Sequence, residues 1–346
     1  MEMMVDIIKT LILVPIYGIF RLIVRIRNFL YDTGLRKSIT PDTDARIISI
    51  GGISFGGSGK TPMSIYAAKI AVEKYTARQS TAVVSRGYAR LSRGFQIVSD
   101  GKKLLTDVLD AGDEPYMIAK NIRKAVIAVD VDRIRAVNIL SNIFPLKTVI
   151  LDDCFQHRRI YRDLDIVMVE PDILVDRGRG WFIREKLSAL KRADAVVVLD
   201  AEEQDRSIIK KNAGRYSQAK FFFGKRKIAG AYYIKDDSKV SIDMLKRKKA
   251  AGFCGIAEPQ RFYDSLEDLG IHIDELLSFK DHCRYTSSEQ EKISRFFVES
   301  GAEIMITTEK DAVKLPPILH LLPIYYLAVR IELENEDAFK KMLFPE

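Results

Sequence analysis

From Arg46 onward, short apolar runs alternate with longer amphipathic stretches. The runs are rich in β-branched residues and end at polar or glycine residues, and helical periodicity lies between several of them. Uninterrupted apolar strands separated by helices indicate a parallel sheet that is covered on both faces. The pattern therefore predicts an α/β fold, with its chemistry beyond the carboxyl ends of the strands. The runs are ARIISIGG, TAVVSRG, AVIAVD, TVILDD, LDIVMVE and DAVVVLD.

The alternation of apolar runs and helical stretches is interrupted near residue 219. The stretch AKFFFGKRKIAGAYYIK contains two strand-like pieces around basic and glycine residues, and no helix is evident between them. A second alternation of strands and helices follows it. We therefore predict a larger domain at 38–218, a β-strand linker at 219–235 and a smaller C-terminal α/β domain at 236–346.

The first 37 residues form a separate segment that is apolar with interspersed basic residues. Its longest uncharged run, 10–20, is too short for a membrane span, which needs about 20 apolar residues. Arg21, Arg25 and Arg27 follow that run, whereas a secretory signal has its basic residues before the apolar stretch. An apolar face with a cationic edge predicts a helix that lies in the interface of one leaflet. A helix packed on the protein's own core is the alternative.

Composition adds a restriction on partners. The 346 residues carry a net charge of +8, which suits nucleic acid, an acidic membrane surface or a phosphorylated substrate. No repeat of aromatic and basic residues supports nucleic acid, so no nucleic-acid partner is expected, and no specific protein partner is inferred. The three cysteines are far apart and odd in number, which favours a reducing compartment over a disulfide framework.

A glycine-rich stretch, SIGGISFGGSGKTP, lies between the first predicted strand and the following helix. Phosphate oxygens are bound by backbone N–H groups at a helix N-terminus, and bare glycines allow that approach. Lys60 supplies a cation for the β- and γ-phosphates and Thr61 a hydroxyl for Mg²⁺. Ser54 departs from the usual pattern, which has glycine there, so a glycine-rich turn is the alternative. The predicted ATP and phosphate ligands are Ser54, Gly56, Gly57, Ser58, Gly59, Lys60 and Thr61.

Two adjacent carboxylates, Asp152 and Asp153, end the apolar run TVILDD. A phosphate loop usually works with an acidic strand end that holds the metal, so both are predicted, with Thr61, to bind Mg²⁺. Alone, such a pair is better explained by helix capping or salt bridges, and the phosphate loop beside it favours the metal role. Gln156 and His157 follow in a basic turn, and this turn is equally compatible with a solvated surface.

Two further elements carry candidates for proton transfer. Asp113 and Glu114 precede Pro115 at a predicted helix start, where carboxylates complement the helix dipole or act as a general base. Asp281 and His282 lie together in the second half, and a single histidine is more often structural than catalytic.

The ordered motifs GGSGKTP, SRGY, GDEP, VDR, LDDCFQHRR, REKLSALKRAD, DHCRYT and TTEKDAVK resemble the tetraacyldisaccharide 4'-kinases of lipid A biosynthesis. The resemblance runs from about residue 15 to at least residue 314. It implies a P-loop NTPase-type domain with a smaller second domain. A serine or threonine at the position of Ser54 is that family's own variant of the loop.

The resemblance also implies an activity and its site. ATP, with Mg²⁺, would phosphorylate the 4'-hydroxyl of an acylated glucosamine disaccharide 1-phosphate, giving lipid IVA. The protein would act as a peripheral, monotopic protein at the cytoplasmic face of the inner membrane. Asp113 becomes the proposed base, assisted by His282. The supporting residues around phosphates or substrate become Glu114, Arg133, Gln156, His157, Arg184 and Glu185.

Two positions depart from the family pattern. Lys186 replaces a proline in the stretch DRGRGWFIREKL, which leaves the family roles of Arg184 and Glu185 open. Cys283 replaces a second histidine, so His282 is the histidine of its motif. The alternative function is a membrane-associated P-loop ATPase or nucleotide switch that acts on a protein partner. The pair Asp113 and His282 favours the kinase, since a switch needs no base for an alcohol.

Overall fold

One continuous sheet runs through both halves of the chain. The structure, a computed structural model, describes residues 2–75, 77–175 and 183–345, with side chains from Tyr17 onward. The strands in these ranges are β1 (Arg46–Gly52), β2 (Thr81–Ser85), β3 (Gln96–Asp100), β4 (Val126–Val129), β5 (Thr148–Asp152), β6 (Leu164–Met168), β7 (Ala195–Leu199), β8 (Lys220–Tyr233), β9 (Lys239–Val240), β10 (Ala250–Cys254), β11 (Ile273–Ser278), β12 (Ile304–Thr308) and β13 (Ile324–Leu333).

The strand order explains how the motifs meet. In space the sheet runs β11-β10-β12-β13-β8-β7-β6-β1-β5-β2-β4-β3, and β9 pairs with β8. The strands from β8 to β4 are parallel, β3 closes that end antiparallel to β4, and β13 is antiparallel to β8. The strands β13, β12, β10 and β11 are again parallel to one another. The predicted α/β class with a parallel-dominated sheet is confirmed.

Burial on both faces accounts for the apolar strand sequences. Ile48 and Ile50 of β1 pack in one core, whereas Ile47 packs in a second core on the opposite face. All three are at most 2% exposed. A fully buried side chain of this size stabilises the fold by about 1.5–3 kcal/mol relative to an exposed one, so such strands have no polar face.

Helices cover both faces. No helix of the described ranges is long and apolar enough to cross a membrane. Short 3₁₀ helices occur at Leu187–Arg192, Glu203–Asp205 and Pro317–Leu321. The α-helices are α1 (Glu2–Asp32), α2 (Lys60–Lys74), α3 (Val108–Ala111), α4 (Asp113–Asn121), α5 (Arg133–Ile143), α6 (Pro171–Leu174), α7 (Arg206–Gly214), α8 (Ile242–Lys246), α9 (Pro259–Asp268), α10 (Ser287–Ser300), α11 (Glu309–Ala312) and α12 (Glu336–Leu343).

The strand β8 joins the two halves. The sequence suggested two strand-like pieces in 219–235, but β8 is one strand of 14 residues. Its first residues pair with β7, and the remainder pairs with β13, where Gly224 lies opposite Leu333. A strand shared in this way makes the sheet continuous. The division into domains at 38–218 and 236–346 stays a prediction.

The last helix returns to the first half of the chain. Phe339 of α12 is fully buried, and its ring centroid lies 5.9 Å from that of Tyr66 on α2 and 5.2 Å from that of Phe222 on β8. A boundary at residue 236 does not anticipate this contact, because residues 336–343 contribute to the core around β1 and α2.

We predict that Gly224→Ala lowers the free energy of unfolding by about 1–3 kcal/mol, the usual cost of overpacking. A Cβ atom at Gly224 would lie 2.5 Å from the backbone oxygen of Glu332 on β13. The measurement is urea unfolding of the full chain. Gly214→Ala is the matched control, because a Cβ atom at Gly214 meets nothing within 4 Å. Equal stability of the two variants would refute the close approach of β8 and β13.

Candidate active site

The glycine-rich loop connects β1 to the N-terminus of α2. Gly59 precedes the helix with φ of 86°, a left-handed conformation that favours glycine. Ser54 is buried, and its Oγ donates a hydrogen bond to Oε1 of Glu170 over 3.2 Å. The serine that departs from the usual pattern thus anchors the start of the loop to the turn between β6 and α6. The helix start leaves backbone N–H groups for an anion.

The acidic end of β5 lies against the loop lysine. Lys60 Nζ is 3.9 Å from Oδ1 of Asp153, and Arg184 Nη1 donates to both oxygens of that carboxylate over 2.9 and 2.8 Å. Asp153 has φ of 47°, a conformation that turns the chain sharply after the strand. Burial opposes ionisation, but Lys60 and Arg184 outweigh it and lower the pKa of Asp153.

Asp152 has a different environment from its neighbour. It is fully buried and accepts hydrogen bonds from Ser64 Oγ over 2.7 Å and from Ser85 Oγ over 3.2 Å. Burial, followed by the negative charge of Glu114, raises the pKa of Asp152 to about 7. A nearby divalent cation would favour the ionised form.

These residues fit Mg²⁺ as part of a nucleotide site. The Thr61 hydroxyl and the carboxylates of Asp152 and Asp153 are oxygen donors, which Mg²⁺ prefers. In the described part of the chain, no group of three or more His, Cys, Asp or Glu side chains is arranged to hold a metal ion. In nucleotide sites Mg²⁺ commonly takes one or two carboxylates and completes its shell with phosphates and water.

Asp113 and His282 meet although 169 residues separate them. Asp113 begins α4 in the first half, and His282 follows β11 in the second with φ of 58°. The distance from His282 Nδ1 to Asp113 Oδ2 is 2.8 Å. Burial opposes ionisation of Asp113, but the hydrogen bond from His282 and the charge of Lys310 lower its pKa. The same hydrogen bond raises the pKa of His282.

Glu114 and Arg133 approach the site from two helix starts. Glu114 Oε1 is 3.7 Å from Lys310 Nζ, and burial raises the pKa of Glu114. Arg133 is 3% exposed, and its Nη1 donates to the backbone oxygen of Asp130 over 2.8 Å. Its Nε and Nη2 are buried without a hydrogen-bond partner among the described residues. Buried unpaired donors suit an anionic ligand.

The basic turn after β5 is partly built into the site. Gln156 Nε2 donates to the backbone oxygen of Gly52 over 2.8 Å, which fixes the turn to the end of β1. Burial and the charges of Arg133 and Arg86 lower the pKa of His157 to about 4. His157 is therefore neutral at physiological pH.

Glu185 supports the N-terminal helix. Its carboxylate accepts from Arg27 Nη2 over 2.5 Å and from Asn28 Nδ2 over 2.9 Å, and it also pairs with Arg192. The side chain is 1% exposed. Glu185 thus fixes α1 to the domain, whereas its neighbour Arg184 faces Asp153. The rest of the altered loop, residues 176–182, lies outside the described residues.

A cavity of about 1500 Å³ unites these elements. Its volume exceeds that of most small-molecule pockets, as a site for two substrates requires. Phe20 and Val24 of α1 form part of its wall. Four of the predicted residues, Ser54, Asp113, Asp152 and Glu185, are buried and do not line it. The predicted residues that line the cavity are Gly56, Gly57, Ser58, Gly59, Lys60, Thr61, Glu114, Arg133, Asp153, Gln156, His157, Arg184 and His282.

Three basic residues of the site are not predicted by any pattern in the sequence. Arg226 on β8 and Arg261 on α9 both donate to the backbone oxygen of Gly57, over 2.8 and 2.7 Å. Lys310 contacts His282 and was quoted only as part of the motif TTEKDAVK. No local pattern could assign the two arginines, because they lie 169 and 204 residues from Gly57.

The chain is similar to several known proteins over most of its length. Residues 9–345 match the family model described as tetraacyldisaccharide-1-P 4'-kinase. The tetraacyldisaccharide 4'-kinase of Halothermothrix orenii is 36% identical over 95% of this chain and 91% of its own length. The Aquifex aeolicus enzyme of the same name is 32% identical over 96% of this chain and 97% of its own. A crystal structure described as the "apo" form of LpxK from Aquifex aeolicus in complex with ATP has a TM-score of 0.76, at 31% identity over 96% of this chain and 97% of that one.

Proposed function

The chain belongs to the tetraacyldisaccharide-1-P 4'-kinase family, and we propose that it transfers the γ-phosphoryl group of ATP to the 4'-hydroxyl of a tetraacylated glucosamine disaccharide 1-phosphate. The family predicted from the ordered motifs is confirmed. The chain is an ATP-dependent kinase of lipid A biosynthesis, and its product is lipid IVA. The observation that supports this chemistry best is the pair Asp113 and His282, because His282 lines the same cavity as the phosphate loop.

We assign the nucleotide to the loop between β1 and α2. Lys60 neutralises charge on the β- and γ-phosphates, and the backbone N–H groups at the start of α2 bind phosphate oxygens. Thr61, Asp152 and Asp153 would hold Mg²⁺, which supplies further neutralisation of the transferring group. Arg184 already neutralises Asp153, so it also limits the negative charge that faces the incoming phosphates.

Asp113 is the proposed base. Its ionised carboxylate accepts the proton of the 4'-hydroxyl as the sugar oxygen bonds to the γ-phosphorus. The bond from that phosphorus to the bridging oxygen breaks at the same centre, and ADP leaves. His282 holds the carboxylate in place through its ring N–H, and the buried donors of Arg133 would bind phosphate oxygens of the lipid.

The alternative function is a nucleotide switch that acts on a protein partner. A switch needs a phosphate loop and a metal site, and it has no use for a base that accepts a proton from an alcohol. A carboxylate and a histidine beside the cavity therefore favour the kinase.

We also propose that α1 lies on the cytoplasmic face of the inner membrane, where ATP is available and the acyl chains stay in the bilayer. Its inner face binds the domain through Arg27 and through Tyr17, whose hydroxyl donates to the backbone oxygen of Ile183 over 2.6 Å. The opposite face is an apolar stripe at helical spacing, which suits an interfacial helix. Its residues, 52–60% exposed, are Ile19, Leu22, Ile23, Ile26 and Phe29.

We predict that Lys60→Ala and Thr61→Ala each lower the rate of phosphoryl transfer on the order of 100-fold or more, because each removes a group that stabilises the transferring phosphoryl. The measurement is transfer of radiolabelled γ-phosphate from ATP to purified lipid A disaccharide 1-phosphate at saturating ATP. Lys69→Ala, on the exposed side of α2, is the control and keeps wild-type rates. Near-wild-type transfer by Lys60→Ala would remove the nucleotide assignment. ATP hydrolysis by the wild-type chain without a labelled lipid would support the switch.

We predict that Leu22→Glu combined with Ile26→Glu weakens binding to anionic phospholipid vesicles, because two carboxylates then interrupt the apolar stripe. Binding is measured by vesicle sedimentation, and nucleotide binding by titration with ATP. Val298→Glu changes an apolar residue that is 76% exposed on α10, and it controls for added surface charge. Unchanged sedimentation of the double variant would contradict the interfacial position of α1.

A further inference from the structure

Lys310 lies at the centre of the pair that we assign to proton transfer. It belongs to α11, which begins directly after β12, and its side chain is 19% exposed. Its Nζ is 3.0 Å from Oδ1 of Asp281, 3.4 Å from Nε2 of His282 and 4.0 Å from Oδ2 of Asp113. One ammonium group therefore contacts both members of the pair and the residue beside His282.

The chemistry of these atoms determines the tautomer of His282. An ammonium group has three donors and no acceptor, so a hydrogen bond from Lys310 requires an unprotonated Nε2. The ring proton of neutral His282 is then on Nδ1, from which it is donated to Asp113 over 2.8 Å. A second ring proton on Nε2 would place two donors face to face. The two hydrogen bonds therefore run in the same direction: Lys310 donates to Nε2 of His282, and Nδ1 of His282 donates to Asp113.

We propose that Lys310 is a positioning residue that fixes His282 as the Nδ1–H tautomer and thereby presents Asp113 as an ionised, oriented base. The proposal about the tautomer rests on geometry alone, and its consequence for catalysis rests on the proposed kinase function. A histidine held in this form orients the carboxylate and does not take up the proton itself.

The charged groups around Asp113 and His282 determine the direction in which removal of Lys310 shifts each pKa. His282 faces Asp113, Asp281 and Lys310, and the ring of Tyr88 lies over it at 4.9 Å between centroids. Its hydrogen bond to Asp113 raises the pKa of His282, and burial and Lys310 oppose that rise. Removal of Lys310 should therefore raise the pKa of His282 further.

Asp113 faces His282, Lys310 and Lys314, and Glu114 is its neighbour on α4. Burial disfavours its ionised form, whereas His282 and the two lysines favour it. Removal of Lys310 should therefore raise the pKa of Asp113 as well. Because a base must be ionised to act, the acidic limb of kcat against pH should move to higher pH.

Lys314 distinguishes the effect of a nearby positive charge from the positioning of His282. Its Nζ is also 4.0 Å from Oδ2 of Asp113, but it pairs with Asp311 over 2.9 Å. Its polar contacts with other described residues do not include His282. Loss of its charge should raise the pKa of Asp113 and leave the tautomer of His282 unchanged. Within the described ranges, Lys310 alone combines both contacts.

The test reads the tautomer directly by NMR of the full chain with ¹⁵N-labelled histidine. The sequence has four histidines, so the spectrum is simple, and His282→Gln assigns the signal. Wild type should show the Nδ1–H tautomer once the pH exceeds the pKa of His282. In Lys310→Met, the His282 ring should lose that tautomer preference and titrate at higher pH. In Lys310→Arg, the tautomer and the pKa of His282 should stay as in wild type, because arginine also donates without accepting. Lys292→Met, on exposed α10, is the control for loss of a surface cation and should match wild type.

The kinetic part uses the same variants in the lipid phosphorylation assay. Lys310→Met should lower kcat on the order of tenfold near neutral pH and shift the acidic limb of the kcat profile to higher pH. Lys310→Arg should have a kcat and an acidic limb close to those of wild type. An Nε2–H tautomer in wild type, or a spectrum and acidic limb that Lys310→Met leaves unchanged, would overturn the proposal. If the tautomer is as expected but no lipid is phosphorylated, the kinase function fails and the positioning of His282 stands.

Discussion

The hydrogen bond between Asp113 and His282 is the interaction on which the rest of the site depends. It joins the first turn of α4 to a loop after β11, and so connects a residue of each half of the chain. The phosphate loop, the acidic end of β5 and Arg133 all belong to the first half. The proposed base, Asp113, belongs to the first half as well, and its hydrogen-bond partner His282 comes from the second half.

The sheet holds the two halves of the chain in fixed positions relative to each other. β8 pairs with β7 in one half and with β13 in the other, so the strands of both halves belong to one hydrogen-bonded network. Arg226 and Arg261 reinforce it at the phosphate loop, where both donate to the backbone oxygen of Gly57. Glu185 attaches α1 to this assembly by its pairing with Arg27, and α1 forms part of the wall of the same cavity.

The part of the site that sequence could predict is local. The loop with Lys60 and Thr61, and the acidic tip with Asp152 and Asp153, follow from strand ends and helix starts that are continuous in the chain. The apolar runs predicted the strands because burial on both faces leaves no polar alternation. Their order in the sheet, and the single strand at 220–233, depend on pairing between distant segments, which no local pattern contains.

The contacts that sequence could not predict cross the two halves. Arg226, Arg261 and Lys310 look like ordinary surface cations in the sequence, and only the fold brings them to the loop or to His282. Glu185 was expected beside phosphates from the family pattern, and its contacts instead join Arg27 and Arg192. In each case a long-range pairing gives a charged side chain its role.

The most direct test of this account is a double-variant cycle on Asp113 and His282 in single-turnover phosphorylation of the lipid. Asp113→Ala should reduce the rate on the order of 10²–10⁴-fold, the range for a positioned base, and leave ATP affinity nearly unchanged. His282→Ala should also be damaging, and the double variant should lose far less than the product of the two single losses, because the residues act as a unit. Losses that simply multiply, or that follow the thermal stability of the variants, would contradict it.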